Sequence, residues 1–393
     1  MALQLPDLPT LKIFSFLDAF SLLQASQVNR EWNRVAENDH LWRNLCLKKW
    51  SFCNFSKCLG SQTWKQFFLK QTKQEYQMAL AQPEDFIFKE ATGNLGIRTA
   101  YLSGNGPTMG GREKSIICTV SSKHMLYAWD VQEVGNSEGD IYTLTVPELR
   151  GVSKVHAFKY TVDLLHCSPD KKWVFASGTH QNILPRVFFT ECLLKPSEGK
   201  SPLSLSIPFS SCCRACWAPR RTSRITLMYR RGSSKKTGFT TFDLMTERTG
   251  GRTVIQAHQV ATFLLPVHME SPIWMGASDG NMIVFESGPY LFLFTISGHQ
   301  LQRFEDHQRT IGNLWADSLH VLTTSMDDSL HVYMWEEEGR YPYLKSCCHL
   351  EHIGSDLTPS CYVSKAICDN VSIVCVVSKN RESSILVMYS LHT

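Results

Sequence analysis

The chain has 393 residues, 43% of them hydrophobic and 19% charged, enough apolar material for more than one core, which excludes wholesale disorder. Forty Lys and Arg against 36 Asp and Glu leave a formal net charge of +4, too slight to point to nucleic acid or an acidic membrane surface. No stretch reaches the roughly 18 uninterrupted apolar residues of a membrane span, so no membrane partner is expected. The first residues run into Leu5-Pro6-Asp7 without a basic segment leading into an apolar one. The expectation is an intracellular protein, cytoplasmic or nuclear and not secreted, whose 14 Cys are free thiols.

Residues 1 to about 82 read as helix. Leu11, Phe14 and Leu17 recur at steps of three, and Leu22, Ala25, Val28, Trp32 and Val35 at steps of three and four, as an apolar helix face requires. Asp39 is placed to cap a third helix that carries Leu41, Trp42, Leu45 and Leu47. From Thr63 to Gln82 no Gly or Pro interrupts a run holding Trp64, Phe67, Phe68 and Tyr76, which predicts one more long helix ending before Pro83. Ile13 and Phe16 lie off the Leu11/Phe14/Leu17 stripe, so the first helix is apolar on two faces. One face serves a core; the other meets either the rest of the chain or a partner, because about 40 residues bury little by themselves.

Leu5-Pro6, Ile13-Phe14-Ser15-Phe16-Leu17-Asp18, Ser21-Leu22-Leu23, Val28-Asn29, Trp32 and Leu41-Trp42 resemble the F-box motif, in order, over residues 5 to about 45. The resemblance implies a small helical module that docks on the Skp-family adaptor of a cullin-RING ubiquitin ligase. The matching positions are Leu5, Pro6, Leu11, Ile13, Phe14, Leu17, Leu22, Leu23, Val28 and Trp32. Some of them contact the adaptor and some pack internally, and the sequence does not separate the two.

From residue 86 the texture changes to many short strands. An apolar run, a tight turn, a small-residue run, a turn with Asp and a strand ending in an aromatic recur, which suggests a propeller. The clearest unit runs from Phe304-Glu305-Asp306-His307 through Leu314-Trp315 and Val321–Ser325 to Leu330–Trp335, and resembles a WD repeat. Weaker units lie at Tyr127–Asp130, Leu165–Gly178 and Gly276–Phe285, the last with Asp279-Gly280 suited to a hairpin turn. By that resemblance His307, Ser325, Asp327 and Tyr333 or Trp335 form a buried polar network of structural purpose.

Taken whole, the chain resembles the F-box/WD-repeat family of substrate receptors of SCF-type ubiquitin ligases. What this implies is an α+β multidomain protein: an all-α F-box at 1–48, a helical linker at 49–85 and an all-β, WD-repeat-like propeller at 86–393. It further implies a non-catalytic subunit without cofactor, holding a protein substrate for ubiquitination while other subunits supply the chemistry. One departure stands out. Blade-ending aromatics at Trp129, Tyr142, Phe188, Phe242, Phe285, Tyr333 and Tyr389 are spaced by 43 to 56 residues except for the first pair, spaced by 13. The expectation is that sequence is missing near Val134 to Asp140, leaving an irregular or incomplete ring; a second reading is then an adaptor-binding scaffold or competitor with a defective propeller.

Gly135-Asn136-Ser137-Glu138-Gly139 fits the pattern of a hydrolase nucleophile elbow, which needs a helix after the serine. The following residues alternate like a strand and end in Pro147, so a hydrolase around Ser137 is only a third reading. Cys212, Cys213 and Cys216, or Cys347, Cys348, His349 and His352, have zinc-like spacing but no second motif, and no metal is expected. Arg214, Arg220, Arg221, Arg224, Arg230 and Arg231, with Lys235 and Lys236, form a basic run. It reads as a solvated strand edge or as a site for an acidic or phosphorylated substrate segment, since guanidinium pairs bidentately with such groups. RNA is disfavoured by the lack of interleaved aromatics.

Overall fold

Asp7 opens the first helix of a computed structural model that describes residues 7–50, 62–93, 98–102, 116–120, 132–135, 140–144, 151–159, 162–178, 183–194, 202–231, 236–249, 252–326, 329–336, 342–351, 361–368, 370–379 and 383–391. The described residues fall into two compact units, one up to Gln77 and one from Met78. The first holds α1 (Asp7–Phe14), α2 (Ala19–Ala25), α3 (Arg30–Ala36), α4 (Asp39–Lys49) and most of α5 (Trp64–Leu80).

Side-chain caps decide where these helices begin. The Asp18 carboxylate accepts from the Ser21 amide at 2.7 Å, and the Asn29 side chain accepts from the Trp32 amide at 2.8 Å. The stripe from Leu22 to Val35 is therefore two helices rather than the one its period predicts. Asn29, in extended backbone, satisfies the free amides of a new helix and so ends the old one. Asn38, not Asp39, caps α4. Trp42 is fully buried and donates its indole N–H to the Ala36 carbonyl at 2.7 Å. Trp50 packs against Phe67 and Phe68. Glu75, buried beside it, accepts from Trp50 Nε1 at 2.5 Å and pairs with Lys49 Nζ at 2.7 Å, partners that a buried carboxylate needs.

The second unit is built of strands. Four sheets are formed by consecutive antiparallel strands: β7 (Val162–Cys167), β8 (Trp173–Gly178), β9 (Arg186–Phe189) and β10 (Ser204–Ser206); β11 (Cys212–Ala218), β12 (Arg221–Arg231), β13 (Lys236–Thr249) and β14 (Arg252–Leu264); β15 (Met275–Ala277), β16 (Met282–Ser287), β17 (Tyr290–Thr295) and β18 (Gln300–Phe304); β19 (Ile311–Ala316), β20 (His320–Ser325), β21 (Ser329–Glu336) and β22 (Tyr343–Glu351). A fifth joins the two ends of the unit: β23 (Cys361–Cys368), β24 (Ser372–Lys379) and β25 (Ser383–Leu391) are completed by β1 (Phe86–Gly93), paired to β25 from Phe86↔Leu391 to Gly93↔Ser384. The first strands β7, β11, β15, β19 and β23 stand side by side in chain order. This is the architecture of a β-propeller, with apolar faces of neighbouring blades closing on each other.

Two sheets are shorter among the described residues: β2 (Arg98–Leu102) with β3 (Ile116–Val120), and β4 (Gln132–Gly135) with β5 (Asp140–Leu144) and β6 (Gly151–His156). At the irregular unit expected near 134–140, Val134 pairs with Tyr142 and Gly135 with Ile141; residues 136–139 between them lie outside the described residues.

The clearest repeat is the sheet β19–β22, yet its polar network has other members than expected. His307 shares hydrogen bonds with Thr323 Oγ1 and Ser329 Oγ, both at 2.8 Å, and Tyr333 donates to Asp306 Oδ2 at 2.7 Å. Ser325 donates to the carbonyls of Arg309 and Thr310; Asp327 lies outside the described residues. Gly280 adopts φ +88°, as the Asp279-Gly280 turn requires. Among the described residues no helix is long and apolar enough to cross a membrane.

The pairing of first and last strands is sealed by Tyr389, which meets Phe88 edge-on at 5.7 Å and Phe86 at 6.4 Å. Tyr389→Ala is expected to cost about 3–5 kcal/mol, as for other buried aromatics, read as a lower urea midpoint with faster amide exchange in both β1 and β25.

Candidate functional site

Helix α1 keeps one apolar face and exposes the other. Phe14 is 3% exposed and packs edge-on to Trp32 at 5.4 Å, and Leu22 is completely buried. Leu11, Leu17, Leu23 and Trp32 are half-buried. Ile13 (51%), Phe16 (77%), Phe20 (68%), Leu8 and Val28 are exposed. The chain puts them outward by a tight turn: Phe16 N donates to Ile13 O and Leu17 N to Phe14 O, both at 3.1 Å, before Asp18 caps α2. Lys12 Nζ stands 5.1 Å above the Phe16 ring. Several large apolar side chains on one small module form a surface that water does not favour. Of the expected contact positions, the structure thus assigns Phe14 and Leu22 to packing and leaves Ile13 and Val28 available; Leu5 and Pro6 lie outside the described residues. Leu8 and Phe20 were not among the expected positions; being apolar and one turn from Lys12 and Phe16 is their only sequence signal.

The basic run does not form one patch. Arg224 is buried: its Nε and Nη2 grip Asp243 at 2.6 and 2.8 Å, and its Nη1 donates to Gly280 O and Asn281 Oδ1. This arginine ties β12 to β13 and to the β15–β16 turn, and is no substrate ligand. Arg221 adds a third contact to Asp243 at 3.0 Å, and these guanidinium partners hold the Asp243 carboxyl below its ordinary range, Arg224 foremost. Arg220 sits in the β11–β12 turn, Arg230 is exposed on β12, and Arg231 pairs with Lys236 in the ladder. Lys235 lies outside the described residues.

Arg214 differs from the rest. It stands on the first strand β11, with its guanidinium 4.4 Å above the Trp274 ring and Nε donating to Ile273 O at 2.9 Å. Trp274 is fixed in turn by Nε1 donating to Gly312 O, and by the buried Glu286, which accepts from the Ile273 and Trp274 amides at 2.5 and 3.0 Å. Burial pushes the Glu286 carboxyl up to about 7 against those donors. Lys365 and His166 share the field of Arg214. Lys365 on β23 is lowered by burial and then by Arg214. His166 on β7, accessible to solvent yet ringed by protein, is pushed down to about 4 by desolvation and then by Arg214 and Lys365. These residues lie up to 199 positions apart in the chain and stand on three first strands, β7, β11 and β23.

The rival chemistries find little footing. Gly135 ends β4 and Asp140 begins β5, so the segment around Ser137, itself outside the described residues, is flanked by two paired strands rather than by a strand and a helix. Among the described residues no group of three or more His, Cys, Asp or Glu is placed to hold a metal ion. Burial pushes the Cys216 thiol up to about 12 and the Cys212 and Cys213 thiols upward as well.

Comparison with known proteins matches residues 2–48 to the F-box-like family model. The whole chain is 50% identical to human F-box/WD repeat-containing protein 12 and 34% identical to mouse F-box/WD repeat-containing protein 15, covering 100% and 99% of those proteins. Both alignments run over 466 positions, 73 more than the 393 residues of this chain. Human F-box only protein 16 is 39% identical over 72 residues, 18% of this chain and 25% of that protein. Among solved structures, a Myceliophteria thermophila β-propeller domain aligns with a TM-score of 0.46 at 9% identity, over 66% of this chain and 82% of that one.

Asp243→Ala strands Arg224 as a buried unpaired charge and is expected to cost about 3–5 kcal/mol, whereas Arg221→Ala, at the exposed side of the same cluster, is expected to cost less than about 1 kcal/mol; urea unfolding separates the two. Glu286 binds its proton more tightly folded than unfolded, so its contribution to stability is complete below about pH 4.5 and is lost as pH rises toward about 7. Measured against Glu286→Gln, the wild-type urea midpoint should therefore fall between pH 5 and pH 8.

Proposed function

The chain belongs to the F-box/WD-repeat protein family, and on that premise we propose that it is the substrate-recognition subunit of an SCF-type ubiquitin ligase. Proteins of this family are generally non-catalytic receptor subunits, and F-box proteins generally bind Skp and, through it, a cullin. In the proposal the first unit captures the Skp-family adaptor through Ile13, Phe16, Phe20 and Val28, and the propeller presents a protein substrate. The observation that carries it is the set of large apolar side chains left in water beside a complete core. Mechanism here is proximity: holding a substrate near a ubiquitin-charged enzyme raises the effective concentration of its acceptor lysine without any acid, base or nucleophile from this chain. For the substrate, the cations Arg214 and Lys365 on the first strands favour an acidic or phosphorylated segment, because Arg214 is held by its Nε while its ring-stacked fork remains oriented.

A second reading, an adaptor-binding competitor that recruits nothing, is favoured by the two short sheets. Reconstitution with adaptor, cullin and ubiquitin-charging enzymes separates the readings: ubiquitin transfer to a protein bound by the chain supports the receptor, and capture of adaptor without transfer to any bound protein supports the competitor.

Each Ile or Phe buried at an interface is worth about 1.5–3 kcal/mol, so Ile13→Asp and Phe16→Asp are each expected to weaken adaptor binding roughly tenfold or more with helical circular dichroism unchanged. Phe14→Asp should instead unfold the module. Wild-type adaptor affinity in the Ile13→Asp/Phe16→Asp chain would contradict the assignment of the surface.

A further inference from the structure

Blade arithmetic locates a break in the ring. In the complete sheets, 42 residues separate the second strands β8 and β12, 50 separate β12 and β16, 32 separate β16 and β20, and 46 separate β20 and β24. From β4 to β8 the separation is 37 residues, which makes β4 the second strand of its sheet. Two further observations agree. Five residues lead from β6 to β7, as five lead from β10 to β11 and six from β18 to β19, so β6 is a fourth, outermost strand. And β4 packs beside β7 just as the second strands β16 and β20 pack beside β19 and β23.

By the same measure β2, four residues after the outer strand β1, is a first strand and β3 a second. Only 11 residues then separate the second strand β3 from the second strand β4, where every other such interval holds 32 to 50. Between them belong the third and fourth strands of one blade and the first strand of the next. Three strands of about five residues with their turns need more than about 20 residues, so 11 cannot supply them. The alignments with the two relatives run over 466 positions, 73 more than this chain's 393 residues, while covering it end to end, so the chain is shorter than the alignments by more than three strands.

We propose that this chain is an internally shortened propeller, with too few residues between Val120 and Gln132 for the three strands a complete ring requires there, and that its ring is interrupted at that point. The sheets β2–β3 and β4–β6, which hold fewer than four strands among the described residues, then open independently of the five complete blades, because the interruption deprives them of ladder hydrogen bonds. The inference stands apart from the receptor reading; it holds or fails whichever partner the first unit binds.

Amide hydrogen exchange on the full chain tests it. Amides of Arg98–Leu102, Ile116–Val120 and Gln132–Gly135 should exchange roughly 100-fold faster or more than those of β20 and β21. Inserting between Val120 and Gln132 residues 290–316 of this chain, which carry the third, fourth and first strands β17, β18 and β19, should bring the two groups to within about tenfold of each other. Protection in β2–β4 within about tenfold of that in β20 and β21 in the natural chain would overturn the proposal, as would unchanged fast exchange in a folded insertion variant.

Discussion

A short helix that is apolar on two sides can bury only one of them in a module this small, and the first unit turns on that constraint. Phe14 goes inward against Trp32, beside the fully buried Leu22. Because the next turn closes through Phe16 N to Ile13 O, the neighbours of Phe14 are carried outward. The caps at Asp18, Asn29 and Asn38 then fix three further short helices, too short to hold their shape by propensity alone. Core and exposed surface are thus two consequences of one choice of face, and the function proposed for the exposed side depends on the buried side remaining intact.

In the propeller the corresponding constraint is that every buried polar group must find a partner. Arg224 with Asp243, Glu286 with two consecutive amides, and His307 with two hydroxyls each pin a strand to a turn or to a neighbouring strand. Glu286 holds the Ile273-Trp274 segment, and that segment holds Arg214 by a carbonyl and a ring. A cation on an inner strand is in this way oriented by a carboxylate on the following blade.

Much of this was legible in the sequence where the period was strong. The four helical regions, the strands of the His307 to Trp335 repeat and the two-faced first helix follow from spacing. The break at Asn29 was hidden because Leu22, Ala25, Val28, Trp32 and Val35 keep helical spacing across it, while Val28 is exposed and the local cap wins. The basic run misled for a different reason. Residues close in a strand point to opposite faces or fall in turns, so Arg224 goes into the core while Arg214 goes to the inner strand. Its companions His166 and Lys365 could not be seen, since they lie on other first strands, β7 and β23, far away in the chain. The polar network includes Thr323, Ser329 and Asp306, which the repeat pattern did not single out, and Ser325 holds the Arg309 and Thr310 carbonyls. Of the two aromatics with the anomalous spacing, Tyr142 lies on β5 and Trp129 lies outside the described residues.

The central claim is that the exposed side of α1 and α2 is a protein-binding surface for the Skp-family adaptor. Its most direct test is the amide-exchange footprint of the full chain with and without the purified adaptor. The account predicts slowed exchange concentrated between Asp7 and Trp32, with the five complete blades unchanged. A footprint confined to the propeller, or none at adaptor concentrations that saturate another F-box protein, would contradict it.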